Sequence, residues 1–432
     1  MPPTRRFRNH ESAIASGAAS STGAAHALAA QSASAHSQRL ARRSGSTMRL
    51  QMRIAIIRQR YNPFGGAERF VARALEALGR QGAELTIVAR EWSETAGAAA
   101  IKVDPFHVGR VWRDRGFARA VCARLALERF DLVQSHERLA CCDVYRAGDG
   151  VHRQWLENRA RAAGPLARLA MRYSPYHRYV LAAESALFAS PRLKAVICNS
   201  RMVREEIRRH FGLPEDRLHV VYNGVDLDSF VPELRLAHRT RMRRELDIPE
   251  RAVVYLHVGS GFERKGVGTL IDAFARLADP EARLLVVGKD RAERAMAARA
   301  AQRGVAGRVH FAGGQADVKP WYGAADVLVL ATLYDPFPNV ALEALASGLP
   351  AILSRQCGAA ELIREGVNGH VVDPLDTDAL VLTMDSIAAR GPAELSEDAR
   401  ASVTHLGLDA MGGRLVALYR TLLGESAGGA RV

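Results

Sequence analysis

Short apolar runs that alternate with amphipathic helices constrain this 432-residue chain more than any other feature. Runs at residues 53–57, 84–89, 131–135, 195–198 and 219–222 fall in the first half, and runs at 253–258, 284–287, 309–312, 327–331 and 351–353 in the second. They have strand lengths, and most are apolar almost throughout, as a strand covered on both faces is. Helical segments separate them, among them residues 67–75 and a segment through Glu206 and Ile207 that Ser200 is placed to cap. Strands alternating with helices predict two parallel, doubly wound sheets, hence an α/β protein. Asn223-Gly224 breaks the last strand of the first set, and the charged, Pro-flanked stretch 228–250 reads as the connection between halves. The expected organisation is a disordered Ala/Ser/Arg-rich tail at 1–50, one domain at 51–230, a second at 231–405, and a closing helix and tail at 406–432.

Residues 1–47 carry too few large apolar side chains to order themselves. An Arg-rich, Ser-rich, acid-poor leader also fits a transit peptide; a tail ahead of a folded chain beginning near Met48 or Met52 is the preferred account. No run reaches the ~18 uncharged apolar residues of a membrane span, and no compact apolar segment marks a secretory signal. The five cysteines, Cys122, Cys141, Cys142, Cys198 and Cys357, show no C-x-x-C spacing and are expected to be buried thiols in a reducing cytoplasm.

The net charge of +14 is unevenly placed: +6 over residues 1–50, +9 over 51–230 and −1 over 231–432. An anionic partner for the first half is expected, a phosphorylated substrate or an anionic membrane surface, with a merely solubilising basic surface as the alternative. Nucleic acid is disfavoured, because no binding module is present and no aromatics interleave with the basic residues.

Residues 327–331 lead into a Pro-rich turn with an acid on either side, Asp335 and, seven intervening residues later, Glu343, the latter one turn into a helix. Ligands of open α/β sheets sit at the carboxyl ends of strands, and a helix N-terminus offers N–H groups to phosphate. Backbone N–H groups at Asn339, Val340 and Ala341 are candidate phosphate or sugar donors, and Glu343 a candidate acceptor for ribose hydroxyls. The stretch from Gly259 to Val267 follows the first strand of the second half; its glycines permit close backbone approach, and Arg264 and Lys265 could neutralise a diphosphate without a metal. It is neither a dinucleotide fingerprint nor a Walker loop, since the glycine and lysine spacings are wrong for both. Gly65-Gly66 is the matching loop of the first half. His136 closes a strand there, as a partner for a sugar hydroxyl or as a satisfied strand-end histidine, and Asp149 reads as a base or, by preference, a turn residue. No His/Cys metal cluster and no nucleophile–base order is present in the sequence.

Together these segments resemble the retaining GT-B glycosyltransferases of glycosyltransferase family 4 over roughly residues 52–400, a resemblance that implies two Rossmann-like, doubly wound parallel-sheet domains facing each other across a cleft. The resemblance starts at Tyr61-Asn62-Pro63-Phe64-Gly65-Gly66 and runs through Val221-Tyr222-Asn223-Gly224 and Gly259-Ser260-Gly261-Phe262 to the acidic pair. The Pro-Phe-Gly-Gly loop, the Arg264-Lys265 loop and the stretch 173–179 are most similar to the branch that builds bacterial lipopolysaccharide cores. The resemblance implies Arg264 and Lys265 on the donor diphosphate, Glu343 on the ribose, and Asp335 and His136 beside the transferred sugar. It also implies a metal-independent enzyme that takes a hexosyl group from a UDP-sugar or related donor to a lipid-linked or other anionic glycan at the cytoplasmic face of the membrane. A transferase for a soluble acceptor, a sugar-nucleotide epimerase and a non-catalytic sugar-nucleotide-binding scaffold are the alternatives. Asp335 stands where the family usually has Glu, which bears on the identity of the donor sugar.

Overall fold

The structure is a computed structural model that describes residues 52–60, 83–91 and 99–424. Seven parallel strands form the first sheet: β1 Arg53–Ile57, β2 Glu84–Ala89, β3 Ala99–Lys102, β4 Leu132–Ser135, β5 Val144–Arg146, β6 Ala195–Cys198 and β7 Leu218–Val220, in the order β3-β2-β1-β4-β5-β6-β7. Six form the second: β8 Val254–Val258, β9 Arg283–Val287, β10 Val309–Gly313, β11 Val327–Leu330, β12 Ala351–Ser354 and β13 Gly369–Val372, in the order β10-β9-β8-β11-β12-β13. Every pairing is parallel. Strand order reverses between β1 and β4 in one sheet and between β8 and β11 in the other, and such reversals open the crevices in which doubly wound folds bind ligands.

In the first half the helices are α1 Gly109–Leu125, α2 His152–Ala162, α3 Pro165–Tyr173, α4 Pro175–Phe188 and α5 Arg201–Phe211. In the second they are α6 Leu234–Glu245, α7 Val267–Phe274, α8 Glu293–Gln302, α9 Lys319–Ala324, α10 Asn339–Ala346, α11 Thr377–Arg390, α12 Ser396–Ala401 and α13 Leu408–Leu422. Ser200 caps α5 as expected, accepting from the Val203 N–H at 3.1 Å. No helix among the described residues is long and apolar enough to cross a membrane.

The strands are apolar because both faces are covered. Ile54 and Ile56 of β1 enter one core cluster, Ala55 and Ile57 the cluster on the opposite face. Leu328 and Leu330 of β11 divide from Val327 and Val329 in the same way. Helix α13 crosses back from the second half: Met411, Leu415 and Tyr419 are buried against the first sheet with Ile54 and Ile56. The crossing runs beside Gly224, where an added Cβ would lie 2.9 Å from the Leu408 Cα.

Two expectations are corrected. Strands β3, β5 and β13 carry no clear apolar run: Ala99–Lys102 is mostly exposed, Val144–Arg146 is three residues long with an arginine, and Gly369–Val372 begins on glycine. The cysteines are not five thiols. Cys122 of α1 and Cys141 of the β4–β5 loop form a disulfide, with Cα atoms 5.8 Å apart, while Cys142, Cys198 and Cys357 are free and buried. Helix packing over β4 brings the two together from elements whose sequence spacing carries no motif, so cysteine usage no longer points to a reducing compartment.

Candidate active site

The second-half site is built on the reversal between β8 and β11. The loop leaving β8 turns at Gly259 and Gly266, with φ of +134° and +72°. A Cβ on Gly259 would lie 2.9 Å from the Lys265 ammonium, and one on Gly266 would lie 1.8 Å from the Ala331 carbonyl oxygen, so both positions require glycine. That close approach lays Lys265 against the loop leaving β11. Lys265 Nζ stands 3.0 Å and Arg264 3.5 Å from Asp335 Oδ2. Arg264 also donates to the Tyr334 carbonyl at 2.8 Å, and its own carbonyl accepts from the Leu333 N–H at 2.8 Å and from the Thr332 hydroxyl at 3.2 Å. Lys265 and Asp335 are buried, while the Arg264 side chain stays more open to solvent. The motifs singled out separately in the sequence thus form one charged group of two cations and one carboxylate.

Glu343 is buried on α10, and its Oε2 accepts from the Tyr322 hydroxyl at 2.9 Å. Pro338 precedes the helix and supplies no side-chain cap. The Ala341 N–H donates to the Pro338 carbonyl at 3.1 Å in a tight first turn. Asn339 Oδ1 accepts from Asn223 Nδ2 at 2.7 Å, and Asn223 Oδ1 accepts from the buried Arg146 at 2.6 Å, tying the start of α10 to the first half.

Asp290, after β9, was not apparent from the sequence. Its carboxylate accepts from the N–H groups of Ala292 at 2.8 Å, Gly261 at 2.6 Å and Phe262 at 3.3 Å, and these bonds hold its carboxyl below the usual range. Only the fold brings it to the Gly-Ser-Gly turn, which it shapes.

In the first half His136 follows β4, buried, with its N–H on the Ile57 carbonyl at 3.0 Å. Tyr419 of α13 donates its hydroxyl to Gln134 Oε1, which turns the Gln134 amide nitrogen towards His136 Nε2 at 3.1 Å. That ring nitrogen therefore accepts, and the proton is assigned to Nδ1. Burial, with Arg146 and Arg58 nearby, holds the ring neutral. These partners of His136 are first-half residues, and none belongs to the Arg264–Lys265–Asp335 group. Gly65 and Gly66 lie outside the described residues.

A cavity of about 340 Å³ opens at the reversal between β1 and β4, and no single motif announced it. Arg58, Arg60, Arg113 and Arg138 line it with Glu137 and Asp149, and Tyr176 and Tyr179 of α4 complete one wall. Asp149, which the sequence leaves open between a chemical role and a turn, belongs to this wall. Both sheets thus carry a polar site at their strand reversal.

Residues 64–229 match the Glycosyltransferase Family 4 model, and residues 238–402 match the model of Glycosyl transferases group 1. The chain is 29% identical to the lipopolysaccharide core biosynthesis glycosyltransferase LpsE of Rhizobium meliloti over 75% of its length and 86% of that protein's. It is 28% identical to the lipopolysaccharide glucosyltransferase WaaG of Escherichia coli over 81% and 93%. A match at 32% identity to the uncharacterized glycosyltransferase MJ1607 of Methanocaldococcus jannaschii covers 44% of this chain and only half of that protein. The crystal structure of WaaG, a glycosyltransferase involved in lipopolysaccharide biosynthesis, superposes with a TM-score of 0.73 at 25% identity, over 87% of this chain and 100% of that one. Two sheets reversing at facing sites, joined to these two domain models, make the chain a member of the GT-B glycosyltransferases.

Proposed function

We propose that the chain transfers a hexosyl group, with retention, from a nucleoside diphosphate sugar such as a UDP-sugar to a lipopolysaccharide-core or other lipid-linked glycan. The observation that carries this is the Lys265–Asp335–Arg264 group beside the start of α10, with Glu343 buried one turn in. The names of LpsE and WaaG support the acceptor class. Asp335 keeps the two cations in place without a ligand and stands beside the sugar when the diphosphate takes its place on them. Glu343, fixed by Tyr322, accepts from the ribose. Arg264 and Lys265 stabilise the charge that develops on the β-phosphate as the bond from the anomeric carbon to phosphate oxygen breaks. The acceptor hydroxyl attacks on the face the phosphate leaves, and its proton passes to the departing phosphate. With two cations at the leaving group, turnover proceeds without a divalent metal. His136 orients from the first half, and the arginine-lined cavity receives the acceptor. Cytoplasmic, peripheral attachment to an anionic membrane follows from the acceptor class and the basic first half.

A thermal-shift panel of UDP, GDP and ADP with their sugars, in chelator, tests the donor site, since ligands of the native state raise apparent stability. One nucleotide should stabilise the protein selectively, and Glu343→Ala or Lys265→Ala should remove most of that shift. Turnover of donor unchanged in both variants would sink the assignment. Donor consumed without acceptor would favour an epimerase, and binding without any turnover a non-catalytic scaffold.

A further inference from the structure

Tyr334 immediately precedes Asp335, yet its side chain lies in the first half. The ring is buried, its hydroxyl donates to Glu206 Oε2 of α5 at 2.6 Å and accepts from the Val151 N–H at 2.8 Å, and Trp155 of α2 stacks 6.5 Å away. The seat is specific. Gly150 has φ of +69°, and a Cβ there would meet the Tyr334 hydroxyl at 2.3 Å and the Pro336 ring at 2.8 Å. Arg138 donates to the Gly150 carbonyl at 3.2 Å, and Arg138 and Asp149 both line the first-half cavity. At its other end the Tyr334 carbonyl accepts from Arg264. One residue therefore touches the cavity's supporting turn with its hydroxyl and the cationic loop with its backbone.

We propose that Tyr334, fastened to Glu206, is a positioning residue that sets Asp335 and Arg264 in register with the acceptor cavity when the two halves close. It meets no reacting atom. The proposal rests on the transferase reading for its catalytic consequence, but the fastening itself does not. The groups facing Glu206 are Tyr334 from the β11 loop, Arg209 on its own helix, Glu157 on α2 and Glu184 on α4. Burial raises the Glu206 carboxyl to about 7, so the carboxylate that accepts most strongly from Tyr334 forms as the pH rises through neutrality.

Two variants and two readouts test this. Tyr334→Phe should lower kcat on the order of tenfold or more, with nucleotide affinity unchanged, because the donor contacts themselves remain. Glu206→Gln should remove the rise in kcat near pH 7 expected of the wild type. The hydrogen-exchange protection factor of the Val151 amide, which needs no substrate, should fall in Tyr334→Phe and become independent of pH in Glu206→Gln. Wild-type kcat profiles in both variants, with Val151 protection intact, would overturn the proposal, as would an equal fall in nucleotide affinity. Should Tyr334→Phe fail to fold, Glu206→Gln decides alone. Should the wild type turn over no donor, the transferase reading fails while Val151 exchange still judges the fastening.

Discussion

A single buried charge shows how the second half holds the far edge of its sheet. Arg243 of α6 is 1% exposed, the burial expected of a leucine. It pairs with Asp326 at 2.6 Å and donates to the carbonyls of Ala324 at 3.2 Å and of Glu250 and Ala252 at 2.9 Å. Asp326 in turn accepts from Arg235 and Arg239 and from the Val254 N–H at 2.8 Å, so one carboxylate gathers three arginines and pins the first residue of β8. Removing it leaves a guanidinium in the interior with no counter-charge. Asp326→Ala should therefore cost about 3–5 kcal/mol, read as a lower urea midpoint, with the specific activity of the folded fraction retained because the reacting groups lie at the opposite strand ends. The sequence shows Arg243 and Asp326 as ordinary surface charges. Their pairing depends on where α6 lands, as the Asp290 turn and the Tyr334 seat depend on long-range packing. Arg264, Lys265 and Asp335 could be placed from the sequence because they sit in the loops leaving β8 and β11, and Glu343 because it lies one turn into α10, where local pattern decides position.

At the scale of elements, strands buried on both faces announced themselves, whereas among the helices the sequence placed chiefly α5 by its Ser200 cap, α10 behind its Pro-rich turn and the closing α13. The elements missed are those whose side chains contradict their burial, such as β5 with its inward Arg146. Helix α3 is the converse case: a helix whose apolar face stays largely uncovered among the described residues. Leu166, Leu169 and Tyr173, spaced for one face, are 83%, 54% and 65% exposed, and no residue of the helix is buried. Residues 158–183 hold five arginines, Arg159, Arg161, Arg168, Arg172 and Arg178, and no acid. A nine-residue helix of this kind gains little stability in water, whereas an anionic bilayer surface would cover its leucines and neutralise its arginines. We expect co-sedimentation with phosphatidylglycerol vesicles that weakens in high salt. The double variant Leu166→Ser, Leu169→Ser should bind at least tenfold more weakly, since each buried leucine is worth roughly 1.5–3 kcal/mol, without loss of thermal stability. Equal binding to zwitterionic vesicles at any salt would remove the basis for membrane attachment.

For the molecule as a whole, buried titratable groups set how stability responds to acid, and they oppose one another. Burial keeps His136 neutral in the first sheet, and it depresses His152 and His257 from 6.5 to about 3. A base whose folded pKa is depressed contributes stability that is complete above its unfolded value near 6.5 and is lost as the pH falls towards the folded one. Between pH 7 and about pH 5.5 His152 and His257 each cost roughly 1 kcal/mol, and His136 acts in the same direction. Glu206 runs the other way: its folded pKa is raised from 4.5 to about 7, so protonation below neutrality returns stability, about 1.5 kcal/mol over the same interval. The raised carboxyls of Glu206 and Glu137 offset part of the histidine loss, so stability should fall only modestly by about pH 5.5. Urea midpoints of the wild type and Glu206→Gln at the two pH values separate the contributions. The variant lacks the compensating proton, so its loss should exceed that of the wild type by about 1.5 kcal/mol. Parallel losses would mean that Glu206 already titrates as an exposed carboxylate, and the fastening between the halves would then be solvated rather than buried.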